Sequence, residues 1–291
     1  MTCLREGTVG LPDGRRLGYA EYGKRGGKPV LLFHGSPGGR QFDLGKAVAK
    51  AGCWLFVLER PGIGLSDPKA GRKVLDWPID VEAFVNHFEF DRFAVVGFSA
   101  GAPYALACGY ALADRVPVVG LVCGYLAFAD DPTLDHLVGG YVTRYRTDPD
   151  AVRIELRKAN TEMANAWAAD PDGFFRSLFG PMADSLPPFW LSMMSSAYGG
   201  PIDTDDATLA YEPMGFNVED VSVRVHAWYG DQDPLLGAAQ ELVRRRPSTI
   251  LTVYPGEGHF LAPQHRTDYR VFSARGWRRG PRRVLRSWRA G

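Results

Sequence analysis

The chain has 291 residues, 45% of them hydrophobic and 23% charged, with a formal charge of +1, enough for one large core plus an insertion. Its four cysteines, Cys3, Cys53, Cys108 and Cys123, show neither C-x-x-C pairing nor zinc-ligand spacing, so reduced, mostly buried thiols and no metal site are expected. Residues 1–6 lack an apolar core, and the longest apolar stretch, from Val116 to Ala129, is too short and glycine-rich for a bilayer; neither a secretory leader nor a membrane span is expected, and the expected setting is cytoplasmic.

The elements begin with a hairpin, residues 7–11 and 16–20 flanking the turn Pro12-Asp13-Gly14-Arg15. A buried strand at 29–34 then runs into the glycine-rich turn His34-Gly35-Ser36-Pro37-Gly38-Gly39. A helix near 41–51, a strand at 54–59, a helix near 78–88, a strand at 93–98, a helix at 100–113 and a strand at 117–123 follow. Such alternation predicts a parallel sheet covered by helices, with ligands at the carboxyl ends of the strands. Between residues 93–98 and the next helix lies Gly97-Phe98-Ser99-Ala100-Gly101, the G-x-S-x-G pattern of a strained turn that exposes a serine hydroxyl.

About a hundred residues then pass without strand alternation. Their helical patterns, such as Ala151 to Ala169 with Ile154, Leu156, Met163 and Trp167, are broken by Pro171, Pro181, Pro187-Pro188 and Pro201. Two late strands, near 223–229 and 249–254, end in Gly230-Asp231-Gln232-Asp233-Pro234 and Pro255-Gly256-Glu257-Gly258-His259-Phe260. A serine hydroxyl needs a positioned base, and the base needs a group that fixes its tautomer. The order Ser99, then an aspartate, then His259 supplies both, with Asp231 and Asp233 competing as the acid and His265 a rival to His259. His34 reads as structural and His226, inside a strand, as a packed core residue, while His87 and His136 read as helix or loop surface positions.

The elbow, the H-G-x-P-G-G turn and the Ser, Asp, His order together resemble the α/β-hydrolase family, over roughly Gly7 to Gln264. The segment Glu59-Arg60-Pro61-Gly62-Ile63-Gly64-Leu65-Ser66 is similar to a loop signature of that family, which commonly has Asp at the position of Glu59. Arg60 is read as making structural hydrogen bonds, with Ser66 a remote alternative nucleophile. The resemblance implies an α/β fold, a mostly parallel eight-stranded doubly wound sheet with a helical cap insertion. It divides the chain into a core of residues 1–125 and 216–265, a cap of 126–215 and a basic tail of 266–291.

It also implies a cofactor-free serine hydrolase with Ser99, Asp233 and His259 as catalytic residues and the N–H groups of Ser36 and Ala100 as the oxyanion hole. The family places its acid three residues past the glycine, which favours Asp233 over Asp231; Pro37 has no N–H to give. Ester cleavage is the default chemistry, with proline iminopeptidase-like amide cleavage, carbon–carbon hydrolysis or a non-catalytic ligand receptor as alternatives. Related epoxide and haloalkane hydrolases carry Asp at the elbow, which Ser99 argues against. The expected partner is a small, largely apolar molecule, with Phe174, Phe175, Trp190, Met193 and Met194 as candidate substrate-binding residues. The tail stands apart: nine arginines against Asp268 alone give it +8 and leave −7 on residues 1–265. A solvated or atypical ending is expected of it, and no nucleic-acid partner.

Overall fold

A computed structural model of the protein describes residues 3–41, 52–126, 140–185, 189–198, 206, 209 and 212–261. The expected helix near 41–51, beyond Gln41, and the arginine-rich segment from 266 lie outside the described residues, as do His136 and His265. Eight strands form one sheet: β1 (Arg5–Gly10), β2 (Arg16–Gly23), β3 (Lys28–Phe33), β4 (Cys53–Leu58), β5 (Ala94–Phe98), β6 (Val118–Val122), β7 (Arg224–Gly230) and β8 (Ile250–Tyr254). Their spatial order is β1-β2-β4-β3-β5-β6-β7-β8, antiparallel where β2 meets β1 and β4 and parallel from β4 onward. The chain first winds β3 to β4 in one direction, then crosses to β5 and continues in the other. The carboxyl ends of β3 and β5 therefore lie side by side at the switch, where the fold leaves a crevice.

Alternation along the central strands splits the core in two. Leu31, Phe33 and Val95 join a cluster with helices α1 (Trp77–His87), α2 (Ala102–Ala111) and, later in the chain, α7 (Leu236–Arg245), whereas Val30, Leu32, Val96 and Phe98 face the opposite side. Near-continuous Val, Leu and Phe runs suit strands buried on both faces.

Between β6 and β7 the described residues form four helices, α3 (Tyr141–Thr147), α4 (Pro149–Ala169), α5 (Pro171–Phe179) and α6 (Phe189–Tyr198). Asp148-Pro149 and Asp170-Pro171 start α4 and α5 the same way. Each aspartate carboxylate accepts a first-turn N–H, at 3.0 Å from Ala151 and 2.9 Å from Gly173, and each proline occupies a position whose N–H would be spare. Trp167, Phe175, Met194 and Tyr198 pack into the second cluster with Phe98, so the insertion rests on the sheet rim. Ile154 instead points to solvent at 68% exposure, because Val152 and Leu156 take the buried side of α4. No described helix is long and apolar enough to cross a membrane.

Candidate active site

Ser99 directly follows β5 with φ of 49°, a left-handed conformation costly for a side chain other than glycine. The turn is tight because the flanking glycines leave no room. A Cβ on Gly101 would lie 2.1 Å from the Phe33 carbonyl oxygen, and one on Gly97 would lie 2.4 Å from the Gly101 oxygen. Bulk at either place would push the elbow away from the loop that follows β3. The elbow also fixes its neighbour, since the Tyr125 N–H donates to the Ser99 carbonyl at 2.8 Å.

The turns after β7 and β8 are stapled together by the same close approach. A Cβ on Gly230 would meet the Glu257 oxygen at 1.9 Å, and the Gln232 N–H donates to that oxygen at 2.9 Å. Asp231 is exposed and holds the staple, its Oδ1 accepting the Gly256 N–H at 2.8 Å. Asp233 turns inward instead and is buried. Its Oδ1 lies 3.1 Å from His259 Nδ1 and accepts the Leu235 N–H at 2.9 Å, while His259 Nε2 lies 3.1 Å from Ser99 Oγ. Burial alone would raise the Asp233 pKa, but the hydrogen bond and charge of His259 outweigh it and hold the carboxyl below its usual range. The His259 side chain keeps 23% of its surface in water. Ser99, Asp233 and His259 are thus brought together from three strand ends, and Asp231 is not among them.

Asp233 Oδ2 is buried with no hydrogen-bond partner among the described residues, and the Cys123 thiol lies beside the carboxyl group. Cys123 Sγ, an Asp233 oxygen and a His259 nitrogen lie within 4.8 Å of one another, a grouping that local cysteine spacing gave no sign of. Burial, then the adjoining Asp233 carboxylate, push the Cys123 thiol far above its usual range. All four cysteines are free thiols, three of them buried.

On the other side of Ser99 runs the loop after β3. Ser36 is exposed at its crest, while His34 and Gly35 are buried. Ala100 is the second residue of the helical stretch that begins after Phe98, so its N–H is one of the donors that no intrahelical carbonyl reaches. His34 is sealed in: its Nε2 accepts the Arg60 N–H at 3.3 Å, and Nδ1 lies 2.7 Å from the Gly35 oxygen. Burial, reinforced by the Arg60 charge, lowers its pKa to about 3, so the ring is neutral with its proton on Nδ1. Ser66 is spent on structure, its hydroxyl donating to Glu59 O at 2.7 Å and accepting the Gly18 N–H at 2.8 Å. Glu59 is fully buried, and its Oε1 accepts the Arg40 N–H at 3.1 Å and Nη1 at 3.0 Å. His226, expected in the core, is only half-buried on β7 and stacks on Trp228 at 5.8 Å between ring centroids.

Of the candidate substrate-binding residues, Met194 is fully buried and Phe175 8% exposed, both in the packing between the insertion and the sheet. Phe174 is half-buried, edge-on to Trp167 and Tyr198, and the side chains of Trp190 and Met193 lie outside what the structure describes. An aromatic path leads from Phe175 through Phe179 to Phe260 and on to Phe98 and His259, with successive centroids 4.8 to 6.5 Å apart. Phe98 and Phe260 flank the site yet were not singled out from sequence. Their only signal is adjacency to Ser99 and His259.

A sequence model of the alpha/beta hydrolase family matches residues 30–282. A probable proline iminopeptidase of Leptolyngbya boryana is 33% identical over 101 residues, which are 33% of this chain and 32% of that protein. The chain spans about a third of the length of the curated relatives it matches. Among solved structures, epoxide hydrolase A of Mycobacterium thermoresistibile superposes with a TM-score of 0.66 at 19% identity, covering 94% of this chain and 98% of its own. A carboxylesterase structure from the thaumarchaeon Nitrososphaera gargenis gives 0.62 at 16% identity, covering 89% and 93%. At those identities the structural likeness is one of fold.

Proposed function

The chain belongs to the alpha/beta hydrolase family, and from that premise we propose that it is a serine hydrolase cleaving an ester or related acyl bond of a small, largely apolar substrate. The observation that carries this reading is the unbroken pair of 3.1 Å contacts from Ser99 Oγ to His259 Nε2 and from His259 Nδ1 to Asp233 Oδ1. In this reading Ser99 Oγ attacks the acyl carbon while His259 Nε2 takes its proton. Asp233 keeps the other ring proton on Nδ1 and stabilises the imidazolium. The N–H groups of Ser36 and Ala100 face the oxyanion, His259 returns the proton to the leaving oxygen, and a water activated by the same ring releases the acid. The helical insertion acts as a cap, its aromatic path giving the acyl group an apolar wall.

A fluorophosphonate probe tests the assignment. Labelling of the protein that disappears in Ser99→Ala supports it; a folded, unlabelled protein favours a ligand receptor on the same fold. The sequence match to a proline iminopeptidase supports a second reading, amide cleavage after an N-terminal proline. A series of p-nitrophenyl esters of rising chain length beside proline and alanine arylamides separates the two: faster turnover of the esters supports the first, and preference for proline arylamide the second.

A further inference from the structure

Arg60 is completely buried and grips the loop that carries Ser36. Its Nη1 donates to the His34 carbonyl oxygen, its Nη2 to the Gly35 oxygen at 3.1 Å, and its backbone N–H to His34 Nε2 at 3.3 Å. The Gly35–Ser36 peptide is trans, so its carbonyl and its N–H point in opposite directions. Pulling the Gly35 oxygen toward the guanidinium therefore aims the Ser36 N–H the other way. The elbow closes the loop from a second side, since a Cβ on Gly101 would lie 2.9 Å from the His34 oxygen and one on Gly35 would lie 3.2 Å from Ser99 Cβ.

A guanidinium sealed from water needs a counter-charge. Glu59, next in the chain, is occupied by Arg40. The counter-charge comes from the insertion: Asp206 Oδ1 accepts Arg60 Nε at 2.7 Å and Oδ2 accepts Arg60 Nη2 at 2.7 Å, a bidentate pair. Asp206 Oδ1 also accepts Arg72 Nη2 at 2.7 Å, and the Tyr104 hydroxyl lies 3.5 Å away.

We propose that Arg60 is a positioning residue that aims the Ser36 N–H at the oxyanion, and that Asp206 of the insertion holds Arg60 in place, so that seating of the insertion and competence of the oxyanion site are linked. The proposal rests on Ser99 being the nucleophile, but its structural half does not. Without Asp206 the sealed Arg60 guanidinium loses the carboxylate that holds it, and any shift it makes frees the His34 and Gly35 carbonyls. The peptide at Ser36 then turns without constraint.

The test compares Arg60→Lys and Asp206→Asn with the parent protein on its best ester or amide. Lysine keeps the charge opposite Asp206 but, as a single ammonium on a flexible stem, does not reproduce the two-carbonyl fork. We expect kcat to fall about 100-fold in Arg60→Lys and about 10-fold in Asp206→Asn, as when an oxyanion donor is misaligned, with KM within about threefold. Hydrogen exchange of the segment 33–40 is expected to quicken in both variants, and this readout needs no substrate. Unchanged kcat and unchanged exchange, with only the melting temperature lowered, would overturn the proposal and leave the cluster a structural ion pair. Should Asp206→Asn fail to fold, Arg60→Lys carries the same comparison. Should Ser99 take no probe in the parent protein, the serine-hydrolase reading fails, and the exchange data still decide whether Arg60 and Asp206 fix the loop.

Discussion

Two polar clusters sit on either side of the His34–Ser36 loop and differ in their access to water. Ser99 and His259 are half-buried, with 23% of the His259 side chain exposed, whereas Arg60 and His34 are fully buried and Asp206 is 6% exposed. A base that must pass protons to leaving groups and from water has to be reached by them, while charges that only fix a backbone do so best where water cannot compete for their hydrogen bonds. The first cluster should therefore report in rates and the second in stability, with the His34–Ser36 loop the place where the two readouts meet.

The largest expected effect falls on the open cluster. Asp233→Asn leaves the shape of the turn intact but lets the amide favour the wrong His259 tautomer, and kcat should fall about 10⁴-fold with little change in unfolding midpoint. Steady-state kinetics beside urea denaturation check this; a rate within tenfold of the parent would remove Asp233 from the reaction. On the sealed side, Asp206→Ala removes the carboxylate that pairs bidentately with the buried Arg60 and should cost about 3–5 kcal/mol in unfolding free energy. An unaltered urea midpoint would mean that water reaches the cluster after all.

pH sharpens the contrast. His34 is held neutral at a pKa of about 3 against an ordinary 6.5, so as pH falls the unfolded chain takes up a proton that the folded one refuses. Stability should therefore decline between roughly pH 6.5 and 3, with a slope of at most about 1.4 kcal/mol per pH unit from this group. Asp206 adds to the decline lower down. Burial would raise its pKa, but Arg60 and then Arg72 hold it well below the usual carboxylate range, so its contribution is present above roughly pH 4 and is lost as pH drops further. Urea midpoints at stepped pH, compared between parent and Asp206→Asn, separate the two groups. The smallest effect is expected at Asp231, the aspartate that staples the turn. Asp231→Ala loses the hydrogen bonds from the Gly256 N–H and the exposed Gln232 side-chain amide, about 1 kcal/mol together, and should leave kcat within about threefold.

Most of the rim was readable from the chain because its constraints are local. The strands at 28–33, 94–98, 224–230 and 250–254 each fall within a residue or two of their expected places, and Gly97 and Gly101 mark a turn that little else could make. The resemblance favoured Asp233 over Asp231, whereas the residues' own local pattern left both open. Both occupy one tight turn, and only the direction in which that turn faces the β8 loop sends one inward and the other out. Arg60 carried a readable structural role but no readable partner.

The sequence by itself determined which segments are strand, turn and helix, and that serine, aspartate and histidine follow strand ends in an order compatible with one site, because periodicity, glycine and proline act over a few residues. The tertiary structure alone decided that Asp206 closes a cluster with an arginine 146 residues away, that Cys123 lies against Asp233, and that Phe98 and Phe260 flank the histidine. Such pairings leave no local trace, since a buried charge selects whatever counter-charge the packed chain delivers to it, and delivery depends on how every intervening element folds.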